Sequence, residues 1–507
     1  MQGGFEMMEN IIEKSKGLLL AILLLIFMKA CTNEVTQSEY GEENSYETSY
    51  QHEDDGDILD EITENGNEEA LDEAKEDRNL FAPNWLSSIQ VTEETREIML
   101  EDFDYLVESM LENAPTLGVF ERRFDISLED ALADMRYTID NLELVESSYS
   151  TEDREIAANH LYRILNWFGT RVEGLGHFGP VPFEFYWDQL ELNSAALYQA
   201  EIIDGRVIWE GEDIGDANLL IEVFLENLTS EATLWFYDVD LDDLDLYREL
   251  TDVGLHIDGN VRAGITEEDR IAYVRINSFM NNATFDSEVL FPFFEEVQDF
   301  EHLIIDLRGN GGGTLIYFTH YVIAMLIDSP IEVRYTEFIT AGTAARQMAE
   351  VNLEWSRRGT ETADEILLAS DFVNEQDFPY FNEEDLDFLH YVIQWESEIV
   401  PREDNIPFAG EIWLLVDHLS ASASEYAAMQ SVYSGFATVV GTSTTGVSPA
   451  MTINVALPNT GILFRIDTGY LIDDMGRSLE EFGVTPNIVI EPGNDALRVV
   501  LDLIEEQ

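Results

Sequence analysis

Three serines, Ser420, Ser422 and Ser424, stand where an apolar run of strand length, residues 413–416, gives way to residues 421–430, rich in Ala, Glu, Met and Gln. Such residues lose little entropy in a helix, so the serines fall at a strand-to-helix junction. A hydroxyl in the first turn of a helix lies beside unpaired backbone N–H groups and the positive end of the helix dipole. That setting stabilises an alkoxide or a tetrahedral oxyanion. It equally suits a serine that only caps the helix, and the stretch by itself leaves both readings open.

A second stretch, residues 303–314, reads Leu-Ile-Ile-Asp-Leu-Arg-Gly-Asn-Gly-Gly-Gly-Thr: a buried strand, a glycine loop and the start of a helix. Gly311, Gly312 and Gly313 allow a tight turn that presents N–H groups to an anion. No lysine follows the glycines and their spacing is not that of a dinucleotide fold, so a phosphate-binding loop is not supported. An oxyanion-type loop and a plain tight turn remain.

The rest of the chain must position these two stretches. Its 507 residues are 45% hydrophobic and 11% aromatic, ample for a sizeable core and for more than one domain. The 103 acidic residues against 26 Lys and Arg give a formal net charge of -77, which repels nucleic acid. Near the N-terminus, Lys14 and Lys16 precede an apolar run over 17–28, the length of an export signal and short for a membrane span. Cys31 is the only cysteine, so neither an intramolecular disulfide nor a cysteine-rich metal site can form. No metal or cofactor is expected.

Residues 32–85 are polar and acidic and read as a flexible tether. Apolar spacing over 86–170 predicts a helical N-terminal domain, with Phe103, Leu106 and Met110 on one face. Residues 171–270 are mixed in pattern. From 271 to 507, strands at 271–276, 303–307, 331–335 and 412–416 alternate with helices, which predicts an α/β core with parallel pairing. A polar, helical stretch at 341–404 reads as an insertion serving as lid or wall, and 495–504 closes the chain as an amphipathic helix.

Five blocks in order, 271–279, 304–313, 415–430, 440–446 and 480–488, resemble the C-terminal processing or tail-specific peptidases, serine peptidase family 41. Met28-Lys29-Ala30-Cys31 likewise resembles the lipobox of bacterial lipoproteins, with Lys29 a departure. The first resemblance implies a crotonase- or ClpP-like spiral of βα units and makes Ser422, three residues before Glu425, the nucleophile. The base of the tail-specific branch is a lysine about twenty-five residues later, a Ser-Lys dyad. Val447 occupies that place here, and Lys75 is the last lysine in the chain. The resemblance is therefore closer to the tricorn-like branch, which uses a histidine and a glutamate.

Gly174-Leu175-Gly176-His177 is similar to that branch's histidine block and Glu480 holds the place of its glutamate. In such a site His177 acts as base toward Ser422 and as acid toward the leaving amine, Glu480 orients polar groups, and the N–H groups of Gly311 or Gly312 and of Ala423 receive the oxyanion. Leu175, Gly176 and Asn487 depart from the family's residues. His418, four residues before Ser422, is a rival base without a family role. A carboxylate-binding PDZ loop is not recognisable between His177 and Arg270. The resulting expectation is an exported serine peptidase, acylated at Cys31 and anchored to the extracytoplasmic face of a membrane, acting on peptides or proteins. The alternatives are an inactive relative that binds an apolar or peptide ligand, and a structural surface lipoprotein.

Overall fold

The computed structural model describes residues 85–506, except 147–151, 173–175, 184–185, 187–200, 204, 210–211, 225, 238–256, 258, 281–282, 357–360, 364, 448–451 and 492. The expected signal with Cys31, all of the tether but its last residue, and Leu175 lie outside the described residues.

Four helices open the described chain: α1 (Glu93–Asn113), α2 (Leu117–Phe124), α3 (Leu128–Asp140) and α4 (Asp153–Arg171). The Thr92 and Ser127 hydroxyls cap α1 and α3, with acidic residues in both first turns. After β1 (Gly179–Pro180) come a three-stranded meander over 201–216 and two short helices, Ala217–Phe224 and Glu231–Phe236.

The α/β core follows: β2 (Val261–Glu267), β3 (Ile271–Ile276), α5 (Ala283–Val297) and β4 (His302–Asp306), then β5 (Ile331–Ile339), α6 (Thr343–Ser356) and β6 (Tyr391–Ile399). It continues with β7 (Glu411–Val416), α7 (Ala423–Ser434), β8 (Thr438–Gly441), β9 (Thr452–Ala456), β10 (Leu463–Asp467) and β11 (Gly469–Ile472). It ends with α8 (Leu479–Phe482), β12 (Ile488–Val489) and α9 (Ala496–Glu506).

The central sheet has the order β12-β8-β7-β4-β3-β2, parallel throughout except for the β2–β3 hairpin. Its inner strands are apolar on both faces, as a parallel sheet covered on both sides requires. Alternation divides them: Leu303, Ile305, Leu414 and Val416 pack with α5 and α7, while Ile304, Trp413 and Leu415 pack against Val500 and Ile504 of α9. Because β4 and β7 are neighbours in register, with Leu415 opposite Asp306, the loops leaving their C-terminal ends are adjacent.

The expected helical stretch at 341–404 contains α6 and a second helix, Ala369–Glu375, but it is also a source of sheet. β6 pairs with β5 over nine register positions, and β11 lies on the other side of β5. The alternating burial of β6, with Val392 inside and Gln394 outside, is the period-two signal that marks it as a strand.

The helical domain does not have a core of its own either. Phe103, Leu161 and Phe168 share one cluster with Ile453, Val455, Phe464 and Ile466 of the β9–β10 hairpin, which pairs through β10 with β1. Buried Asp102 of α1 accepts the N–H groups of Asn459 and Thr460 at 2.8 and 2.7 Å, and the hairpin turn is thereby fixed to the helices.

Candidate active site

Ser422 occupies the position just before α7, with φ 55° and ψ −119°. A non-glycine residue with positive φ is held there only by its surroundings. The restraints are backbone bonds on both flanks. Ala421 N–H donates to Asn310 O at 3.1 Å, Ser422 N–H to Val447 O at 2.8 Å and Thr445 N–H to Ser420 O at 3.0 Å. Ser420 is structural, its buried hydroxyl donating to Leu307 O at 2.9 Å. The Ser422 side chain caps nothing, and its Oγ instead lies 3.1 Å from His177 Nε2.

His177 sits two residues before the strand pair Gly179–Arg465. Its ring faces Asp467 at the end of β10: Nδ1 is 3.1 and 3.2 Å from the two carboxylate oxygens, and the His177 backbone N–H donates to Oδ2 at 2.7 Å. Asp467 is 1% exposed, so these hydrogen bonds form where water does not compete. The arrangement fixes the ring with Nδ1 toward the carboxylate and Nε2 toward the serine. Gly176 explains itself here, since a Cβ on it would stand 2.3 Å from Asp467 Oδ2. Nothing in the sequence marked Asp467; its only signal was a carboxylate ending a strand that is apolar but for Arg465.

The other expected residues distribute unevenly. Glu480 is buried and accepts from Leu471 N–H and the Ser478 hydroxyl, each at 3.2 Å; the carboxylate on His177 is that of Asp467. His418 is exposed and offers its carbonyl to Thr445.

The glycine loop is pressed onto the serine turn. A Cβ on Gly312, at φ +96°, would meet Ala421 O, Ala423 N and Ser422 Cβ at 2.6, 2.8 and 2.9 Å. Gly312 N–H donates to Asn310 Oδ1 at 2.9 Å. That leaves Gly311 and Ala423 of the three expected N–H donors, the latter in the first turn of α7 where no intrahelical acceptor exists.

Behind the serine, Glu425 is almost fully buried and burial pushes its carboxyl up to about 7, against the lowering effect of Thr444 and of backbone N–H groups such as Gly446. One oxygen accepts from the Thr444 hydroxyl and, at 2.9 Å, from Gly446 N–H; Oε2 has no partner among the described residues. The residue anchors the 444–447 segment whose Val447 carbonyl holds the Ser422 N–H. Among the described residues no His, Cys, Asp and Glu group could hold a metal ion, and no helix is long and apolar enough to cross a membrane.

A hydrogen-bonded carboxylate, imidazole and hydroxyl, beside a glycine loop and a helix N-terminus, can carry out acyl transfer. Residues 270–490 match the model described as peptidase family S41. No curated protein matches the chain. Among solved structures, a putative peptidase from Parabacteroides merdae is 16% identical, over 80% of this chain and 96% of that one, with a TM-score of 0.40. Mature CPAF complexed with lactacystin is 14% identical, over 81% and 97%, with a TM-score of 0.43. The photosystem II D1 C-terminal processing protease is 15% identical, over 80% and 94%, with a TM-score of 0.34. The match over 270–490, which spans the glycine loop, the serine turn and Asp467, makes this region of the chain similar to peptidase family S41.

Proposed function

We propose that the chain hydrolyses peptide bonds through Ser422, with His177 as its base and Asp467, which the sequence did not single out, as the carboxylate behind the histidine. The observation that carries this reading is the hydrogen-bonded line from Asp467 through His177 to Ser422 Oγ. His177 Nε2 takes the Ser422 proton as Oγ attacks the scissile carbonyl, and the imidazolium formed is stabilised by Asp467. The oxyanion is received by Ala423 N–H and Gly311 N–H. Collapse of the tetrahedral intermediate passes the proton to the leaving amine; water then repeats the sequence on the acyl-enzyme and releases Ser422. The export signal and lipobox-like Cys31 support action outside the cytoplasm, at a membrane surface.

Fluorophosphonate labelling of residues 32–507 tests the reading. The probe reports an activated serine without a known substrate. Labelling at Ser422 that is abolished in Ser422→Ala and in His177→Ala is expected. Labelling that persists in His177→Ala would overturn the assignment of the base, and an unlabelled, folded wild type would favour the ligand-binding alternative.

A further inference from the structure

The β9–β10–β1 sheet buries one face in the helical core, through Ile453, Val455, Phe464 and Ile466. Its opposite face carries buried Ala456 and Leu463 at one end and, toward the other, Thr452, Asn454 and Arg465, all partly exposed, and Asp467. This polar end leads to the active site, because Asp467 on it holds His177.

Arg465 lies two residues before Asp467 on β10, so the two side chains leave the same face with Cα atoms roughly 6–7 Å apart. The residue opposite it on β1 is Gly179, which has no side chain, and a Cβ there would find only Gly169 Cα, at 4.0 Å. Among the described residues, the place of a side chain opposite Arg465 is thus unfilled. Among the described residues its guanidinium makes no hydrogen bond, ion pair or ring contact. Burial lowers its pKa and the charge of Asp467 opposes that shift.

A partly shielded guanidinium without a hydrogen-bonded counterion gains when an anion meets it. Its planar fork matches a carboxylate in two parallel N–H···O bonds. In a chain with 103 acidic residues and 26 Lys and Arg, this cation stands beside the carboxylate that holds His177. We propose that Arg465 is a specificity-determining residue whose guanidinium takes a carboxylate of the bound peptide close to the scissile bond, from an acidic side chain or a free C-terminus. This rests on the peptidase reading above.

Binding tests it without turnover. Fluorescent heptapeptide pools are titrated against Ser422→Ala and against the double variant with Arg465→Met, each shown folded by thermal melting. One pair of pools, amidated at the C-terminus, fixes Glu or Gln at each position in turn; a second pair has a free or an amidated C-terminus. Carboxylate-bearing pools are expected to bind Ser422→Ala at least about tenfold tighter than their neutral counterparts, as for a charge-assisted fork. Arg465→Met should abolish that ratio, and Arg465→Lys should restore part of it. The first pair identifies a side chain as the source and the second a C-terminus.

Equal binding of charged and neutral pools, or a preference that survives Arg465→Met, overturns the proposal. So does a fall in fluorophosphonate labelling of Arg465→Met without any pool preference in its parent, which would confine Arg465 to supporting Asp467. Failure of the peptidase reading is distinguishable: an unlabelled wild type leaves the charge preference of Ser422→Ala measurable.

Discussion

The two halves of the candidate site are built by different rules. The serine half belongs to the parallel core: the β4 and β7 loops are sequence-local turns on adjacent strands, joined by short backbone bonds such as Ala421 N–H to Asn310 O. The histidine half is assembled over distance, since His177 meets a carboxylate 290 residues later and a serine 245 residues later. It depends on the helical domain, which shares its core with the β9–β10 hairpin and grips the hairpin turn through Asp102. The nucleophile is therefore shaped by neighbouring loops of the parallel core, whereas its base is placed by contacts that reach across the chain. Damage to the helical domain should uncouple the two.

The sharpest way to break this comparison is Asp467→Asn. The amide keeps the size of the side chain but offers an N–H where His177 needs an acceptor, so the ring is held in the wrong tautomer or released. In serine triads such a change costs on the order of 10⁴-fold. Fluorophosphonate labelling of Asp467→Asn should fall by about 10³-fold or more while its melting stays cooperative. Labelling within about tenfold of wild type would mean that the histidine half needs no carboxylate here.

On the serine half the corresponding test is Gly312→Ala. A methyl group at φ +96° would press on Ala421 O, Ala423 N and Ser422 Cβ, and so displace the nucleophile and cover the Ala423 N–H. Loss of an oxyanion donor lowers acylation by about 10²- to 10³-fold, and the labelling rate of Gly312→Ala should fall within that range. Gly311→Ala, whose added Cβ meets nothing within 4 Å, is the control and should fall by less than about threefold.

What could be read in the sequence follows the same division. The strand, glycine loop and serine helix are contiguous motifs with strong periodicity, and the α/β core with its family resemblance was legible from them. Ser422 itself was singled out by resemblance, because three serines at a helix start look alike until the structure shows which hydroxyl faces His177. Asp467 was hidden because its role arises only when β10 pairs with β1, a long-range register that no local pattern encodes. The resemblance pointed to Glu480, a carboxylate that the structure places on Leu471 N–H and Ser478. β6 was missed because polar residues on the outer face of a strand lower the apolar density of the whole 341–404 stretch.

The halves also differ in how their carboxyl groups are satisfied, and Glu425 makes the serine half sensitive to pH. Asp467 is bonded to both the ring and the backbone of His177, but Glu425 behind the serine leaves Oε2 without a partner among the described residues, and burial raises it from 4.5 to about 7. Between those values the folded state binds the proton that the unfolded chain releases. Stability contributed by the protonated form is complete below about pH 4.5 and is lost as pH rises toward 7, a fall of about 3 kcal/mol. Glu425→Gln keeps an acceptor for Thr444 and Gly446 and removes the titration. Urea unfolding should give a variant-minus-wild-type stability difference that rises by about 3 kcal/mol from pH 4.5 to 8. A difference independent of pH would show that Glu425 is ionised in the fold.

The smallest expected effect is the most discriminating between the two candidate carboxylates. Glu480 lies in α8, where its oxygens accept from Leu471 N–H and the Ser478 hydroxyl. In Glu480→Gln the amide oxygen still serves the backbone N–H and the amide nitrogen can donate to Ser478, so these two hydrogen bonds are kept while the charge is lost. Stability should change by about 1 kcal/mol and labelling of Ser422 by less than about threefold. Set against Asp467→Asn, this assigns orientation of the histidine to one carboxylate and support of β11 to the other. A Glu480→Gln loss as deep as that of Asp467→Asn would reverse the assignment, because an isosteric amide leaves no packing change to account for it.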